Sequence, residues 1–163
     1  MVGRLDVLRD VLRGRGRWVE AIAHEVEASS AYIPDLGGIA DEGWLGDPIE
    51  IDDPKLMADV ARTRRVVFGG DVDNELRHLG EAQTCELIRT VEEYADSWWI
   101  TDDQDALRYA RGQQITTRET IEIVSIAVVE GSLSSEDGFE LMHAMKSKGR
   151  SLRLPVNAAE LMR

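Results

Sequence analysis

The sequence predicts an α/β domain with a mainly parallel sheet. Three observations carry that expectation. Short β-prone runs alternate with helical patterns along the whole chain. The most strand-like run, Ser97-Trp98-Trp99-Ile100-Thr101, is a compact apolar segment with polar ends, as a buried strand requires. Helix-start signals follow the strand candidates after only a few residues, as in Asp53-Pro54 after Pro48-Ile49-Glu50-Ile51.

Taken in order, Leu5, Leu8 and Leu12 recur at helical spacing and predict a short helix over 4–13, ended by Gly14-Arg15-Gly16. Trp18-Val19 reads as a very short strand. Ile22 and Val26, with Ala23 beside them, predict a helix over 19–29. Residues 31–47 read as a loop around Gly37-Gly38 and Gly43, with room for one helical turn after Pro34. The alternation over 48–51 predicts a strand, and Asp53-Pro54 opens a helix that Gly69-Gly70 ends. Thr84, Ile88 and Val91, with Leu87 beside them, predict a helix over 80–94. The 97–101 strand precedes a helix over 103–111. Gln114-Ile115-Thr116 is a strand candidate, and helices follow over 118–130 and 135–148. Ser134 opens the last of these, with Asp137 at capping-box spacing.

The 163 residues suit a single domain spanning 1–163, large enough for a core without disulfides. The one cysteine, Cys85, cannot form an internal disulfide, and no signal peptide or long apolar run is present. The expected location is therefore the cytoplasm, with no membrane partner.

The net charge of −12 argues against a broadly basic nucleic-acid surface. The charge is uneven. Residues 1–17 balance at +3 and residues 146–163 at +4, which leaves −19 for 18–145. Such a pattern reads either as a solvated acidic surface or as a carboxylate site that needs a cation, flanked by Arg for phosphates.

Thr101-Asp102-Asp103-Gln104-Asp105 lies at the end of the best strand, where sites form in parallel sheets. Carboxylates there can converge on a hard cation, although one of the three Asp is expected to cap the following helix. Two more acidic segments stand out: His24-Glu25-Val26-Glu27 in an early helix and Leu79-Gly80-Glu81-Ala82 at the head of a later one.

The order GRLDVLRDVL, WVEAIAHEVEAS, HLGEAQTCELI, WWITDDQDALRYAR and ITTRETIEIVSIAVVEG resembles the PIN-like nuclease superfamily, in particular a bacterial branch with a "GEAEA" helix and an "I-x-DD" strand end. The resemblance implies a three-layer α/β/α fold and a metal-dependent ribonuclease, a phosphodiester hydrolase. It implies Mg²⁺ or Mn²⁺ as cofactor and catalytic acids Glu25, Glu81, Asp102 and Asp103. Glu25, Glu81 and Asp103 are the implied metal ligands, with Asp102 as the other candidate for the last place; Glu27 and Asp105 match less well. It further implies RNA as substrate and, for the toxin of a toxin–antitoxin pair, a cognate antitoxin; a homodimer is left open. Arg13, Arg15 and Arg17 are candidates to hold the RNA backbone or are plain surface arginines.

The family's first segment, a strand ending in Asp, would precede the 4–13 helix, and this chain begins at Met1 just in front of it. The expectation is a PIN-like domain without that strand and its Asp. An upstream start, an inactive relative or a substitute segment would each account for it. In this form the chain is expected to bind the cation weakly and cleave RNA poorly, so the competing function is a catalytically inactive protein-interaction module. Among Trp98 and Trp99 at least one is expected in the core. Cys85 reads as a small core residue, and His24, His78 and His143 as surface residues.

Overall fold

The computed structural model describes residues 4–71 and 73–163. It is mainly helical, with one small parallel sheet of two strands, compatible with the α/β class. The described residues gather into two compact units, one of 4–16, 100–102 and 118–163, the other of 17–71, 73–99 and 103–117.

The first unit is built on α1 (Leu5–Leu12), α7 (Thr120–Val129) and α8 (Ser135–Ser147). In α1 the buried pair is Val7 and Val11, one turn apart, with Leu8 partly buried against the same core. The leucine stripe expected over Leu5, Leu8 and Leu12 is thus rotated onto the valines. The helix turns at Arg13, whose φ of 50° is left-handed, and Gly14 follows at 73°. The αL penalty at a non-glycine residue is small enough for the surrounding chain to hold it.

Helix α7 starts with a capping box in which Glu119 and Glu122 exchange side-chain and backbone hydrogen bonds. Ile121, Val124 and Ala127 face inward at i, i+3 and i+6. Ser134 caps α8 by accepting from the Asp137 amide at 3.0 Å, as its spacing predicted. Met142 and Leu161, the latter in a 3-10 helix over Ala158–Met162, are fully buried. Gly138 is needed where α8 meets them: an added Cβ would lie 3.0 Å from Leu161 and 3.1 Å from Val124.

The second unit contains α2 (Glu20–Ser30), a 3-10 turn over Pro34–Leu36, α3 (Gly37–Glu42), α4 (Pro54–Val66), α5 (Leu79–Thr90) and α6 (Gln104–Gly112). Gly37-Gly38 therefore lies inside a short helix and not in a loop: it continues the turn that Pro34 opens, which buries Leu36 and Ile39. Asp53 caps α4 by accepting from the Leu56 amide at 2.7 Å, and Pro54 fills the first position. Of the α5 residues expected to face inward, Ile88 and Leu87 are buried and Thr84 and Val91 half-buried, and Ala82 and Cys85 join Ile88 in the core. Ala82, Cys85 and Ile88 pack with Val60, Phe68 and Trp99, and Phe68 meets Trp99 edge to face at 6.4 Å. Trp98, its neighbour, stays 45% exposed, so one of the two tryptophans fills the core.

The strands are shorter than predicted. β1 is Trp99–Ile100, and β2 is Thr117–Arg118, displaced beyond the 114–116 candidate. The Trp99 amide donates to the Thr116 carbonyl at 2.9 Å, and the Thr101 amide to the Arg118 carbonyl at 3.0 Å. The 48–51 segment forms only an isolated parallel bridge, Val19 with Ile49. Among the described residues no helix is long and apolar enough to cross a membrane.

Candidate functional site

Two of the four candidate acids lie close enough for one to shift the other's ionisation. Glu25 is on α2 and Glu81 in the first turn of α5, and both belong to the second unit. The approach depends on Gly80. A Cβ built there would lie 2.3 Å from Ile22 Cδ1 and 3.8 Å from the Glu25 carboxylate, so the bare Cα is what lets α2 lie against α5. Burial raises the Glu25 carboxyl above its ordinary range, and the Glu81 charge raises it further; His78 acts in the opposite sense. A pair of like charges held near one another is what a cation would relieve.

His78 completes this corner. It precedes α5 in a left-handed conformation, φ 60°, and is half-buried. Its Nδ1 lies 3.6 Å from Glu81 Oε1, while its Nε2 accepts from Arg77 Nε at 3.2 Å. The sequence reading passed His78 over as a surface residue. The available signal was its place three residues before Glu81 at a helix head.

The acids after β1 are engaged in helix starts. Asp103 caps α6, its Oδ1 accepting from the Ala106 amide at 2.8 Å. Asp102 belongs to the first unit, where Oδ1 accepts from the Thr120 amide at 2.9 Å and Oδ2 from the Thr120 hydroxyl. The capping role expected for one Asp in this run is therefore filled by Asp103 for α6, while Asp102 holds the start of α7. Asp105 pairs with Arg108 at the surface, at 2.7 Å, and Glu27 is exposed on α2.

Of the candidate phosphate ligands, Arg13 is paired with Glu130 at 2.8 Å, and Arg15 and Arg17 are exposed. Among the described residues no group of three or more His, Cys, Asp or Glu side chains is arranged to hold a metal ion. What the structure brings near one another is the pair Glu25 and Glu81, short of a three-donor group. Mg²⁺ is commonly held by one or two carboxylates plus waters and substrate phosphates, not by an all-protein cage.

Gln83 is a second residue that sequence reasoning missed. It is buried two positions after Glu81. Its Oε1 accepts from the Ala21 amide at 3.1 Å, and its Nε2 donates to Glu20 Oε1 at 2.8 Å. No family model, curated protein or solved structure matches this chain.

Proposed function

We propose that the chain is a PIN-like domain of the three-layer α/β/α type with a metal-dependent phosphodiesterase site for RNA, built on Glu25 and Glu81. The observation that supports this reading is the approach of those two carboxylates, from segments far apart in the sequence, at the glycine of the GEA helix. Mg²⁺ or Mn²⁺ bound there would polarise a phosphate and activate a water. Glu25 and Glu81 would hold the cation, with the His78 ring beside Glu81 at 3.6 Å. Asp103 is the third acid that the resemblance implies; here it caps α6 and is not grouped with Glu25 and Glu81.

Charge supports the need for a cation. The second unit holds 9 Lys and Arg against 21 Asp and Glu, and so carries all of the net −12. A polyphosphate approaching Glu25 and Glu81 without a metal would meet repulsion. The lone buried cysteine fits a cytoplasmic protein.

A second reading has its own observation. Asp102 and Asp103 are both engaged in starting helices. That use suits a domain retaining the family's shape as a protein-interaction module, with an antitoxin-like partner or a second copy as its binding partner. One experiment separates the two. Labelled single-stranded RNA is incubated with the chain and Mn²⁺, with and without chelator, beside Glu25→Gln and Glu81→Gln. Cleavage lost on chelation and in both variants, with unchanged circular dichroism, supports the nuclease. Cleavage that survives chelation overturns it, and absence of cleavage favours the interaction module.

A further inference from the structure

Helix α2 starts without a side-chain cap of its own, because its N-cap residue is Val19. The first amides of a helix lack intrahelical partners and must find others. Here the Glu20 amide donates to the Ile49 carbonyl at 3.1 Å, and the Ala21 amide donates to Gln83 Oε1 of α5. Gln83 therefore caps a helix other than its own. Its amide nitrogen returns a bond to Glu20 Oε1, so both functional atoms of one buried side chain are tied to the first two residues of α2.

One turn away the second contact is steric. Ile22 lies on the bare Cα of Gly80, and the Glu25 carboxylate is beside it. The two contacts run in opposite chain order, residue 21 with 83 and residues 22 and 25 with 80. Together they fix both the separation of α2 from α5 and the sliding of one along the other. We infer that Gln83 and Gly80 are positioning residues that hold Glu25 opposite Glu81, Gln83 setting the register of α2 and Gly80 its closeness. The geometry stands by itself; its use in binding a cation rests on the nuclease reading above.

The chemistry of the clamp gives it a reversible test. Gln83→Ala removes the acceptor for Ala21 and the donor for Glu20. Gln83→Glu keeps the acceptor but sets a carboxylate against Glu20. The double exchange Glu20→Gln with Gln83→Glu restores one donor and one acceptor at the same place, so it should recover what either change alone loses. Simple loss of packing would not be recovered by such an exchange.

Two readouts on the full chain are needed. The first is metal-independent: nitroxides are attached to an E25C/E81C background, where Cys85 is buried and stays unlabelled, and dipolar broadening of the spectrum reports their separation. Broadening should be strong with Gln83, weaken in Gln83→Ala and in Gly80→Ala, and return in the exchanged pair. The second is Mn²⁺ binding followed by water-proton relaxation in chains retaining both acids, where Gln83→Ala should weaken affinity about tenfold and the exchange should restore it. Broadening that responds in a chain that binds no Mn²⁺ supports the clamp and removes the metal reading. Broadening that is the same with and without Gln83 overturns the clamp whatever the metal does. Loss in Gln83→Ala that the exchange fails to restore also overturns it, because the bonds named here would then not be the cause.

Discussion

The Thr63 hydroxyl donates to the Glu86 carboxylate at 2.6 Å, joining α4 to α5 through an acid with no exposed surface. The other carboxylate oxygen accepts from Arg89 Nε at 3.1 Å and from its Nη2. A buried charge is tolerated only when its lone pairs are satisfied, and here both oxygens are occupied. Thr63→Val keeps the side-chain shape and removes the donor. It should lower unfolding free energy by about 1–3 kcal/mol, the cost of a buried acceptor losing its partner. Urea unfolding measures this, and a midpoint equal to that of the parent would show that water enters and replaces the hydroxyl.

Cys85 sits beside Glu86, and burial, reinforced by the Glu86 charge, pushes its thiol up to about 12 from 9.0. In the unfolded chain the thiol ionises near 9, whereas in the folded chain it stays protonated. Above pH 9 the unfolded state therefore binds fewer protons, and stability falls with rising pH, by up to about 1.4 kcal/mol per unit, until the folded thiol also ionises. Tyr109, raised by its own burial, adds to the same alkaline loss. Cys85→Ala should flatten the dependence by the cysteine's share. Unfolding curves across the alkaline range test it; an unchanged slope would mean that the thiol ionises alike in both states.

Glu25 shows the same linkage in the carboxylate range. Its folded carboxyl is raised, first by burial and then by Glu81. Below the ordinary carboxylate value both states are protonated, and nothing is lost. As pH rises through the raised folded value, the ionised form is disfavoured and stability falls. Glu25→Gln should therefore raise the melting temperature at neutral pH without divalent metal, with the gain vanishing in acid. A variant no more stable than the parent at pH 7 would show that the pair is screened by solvent.

Helix starts were the most legible part of the sequence, because Asp53-Pro54, Asp103 and Ser134 act through bonds within their own first turn. Strand lengths were not, since a β-ladder is fixed by a distant partner: Trp99 pairs with Thr116, and Ile49 makes only one bridge, with Val19. The site divides in the same way. Motif order pointed to Glu25 and Glu81, and their approach follows from Gly80. Gln83 was invisible because its partners are Ala21 and Glu20, more than sixty positions earlier. His78 had only its place three residues before Glu81 to mark it, because its orientation comes from a left-handed backbone before α5.

Under the nuclease reading, capping and metal binding would make different demands on the Asp103 carboxylate. Its Oδ1 accepts the Ala106 amide at the start of α6, a neutral requirement that an asparagine meets nearly as well. Coordination of a hard cation requires the charge. Asp103→Ala should cost about 1 kcal/mol of stability through the lost cap. Asp103→Asn should keep that stability and still lower Mn²⁺-dependent RNA cleavage at least tenfold. The order of effects matters more than either value. If the Asn variant retains full cleavage, Asp103 serves α6 alone, and the site reduces to Glu25, Glu81 and His78. If the Asn variant loses as much stability as the Ala variant, the charge of Asp103 matters to the fold itself. Chemical unfolding and initial cleavage rates on the same preparations decide among these results.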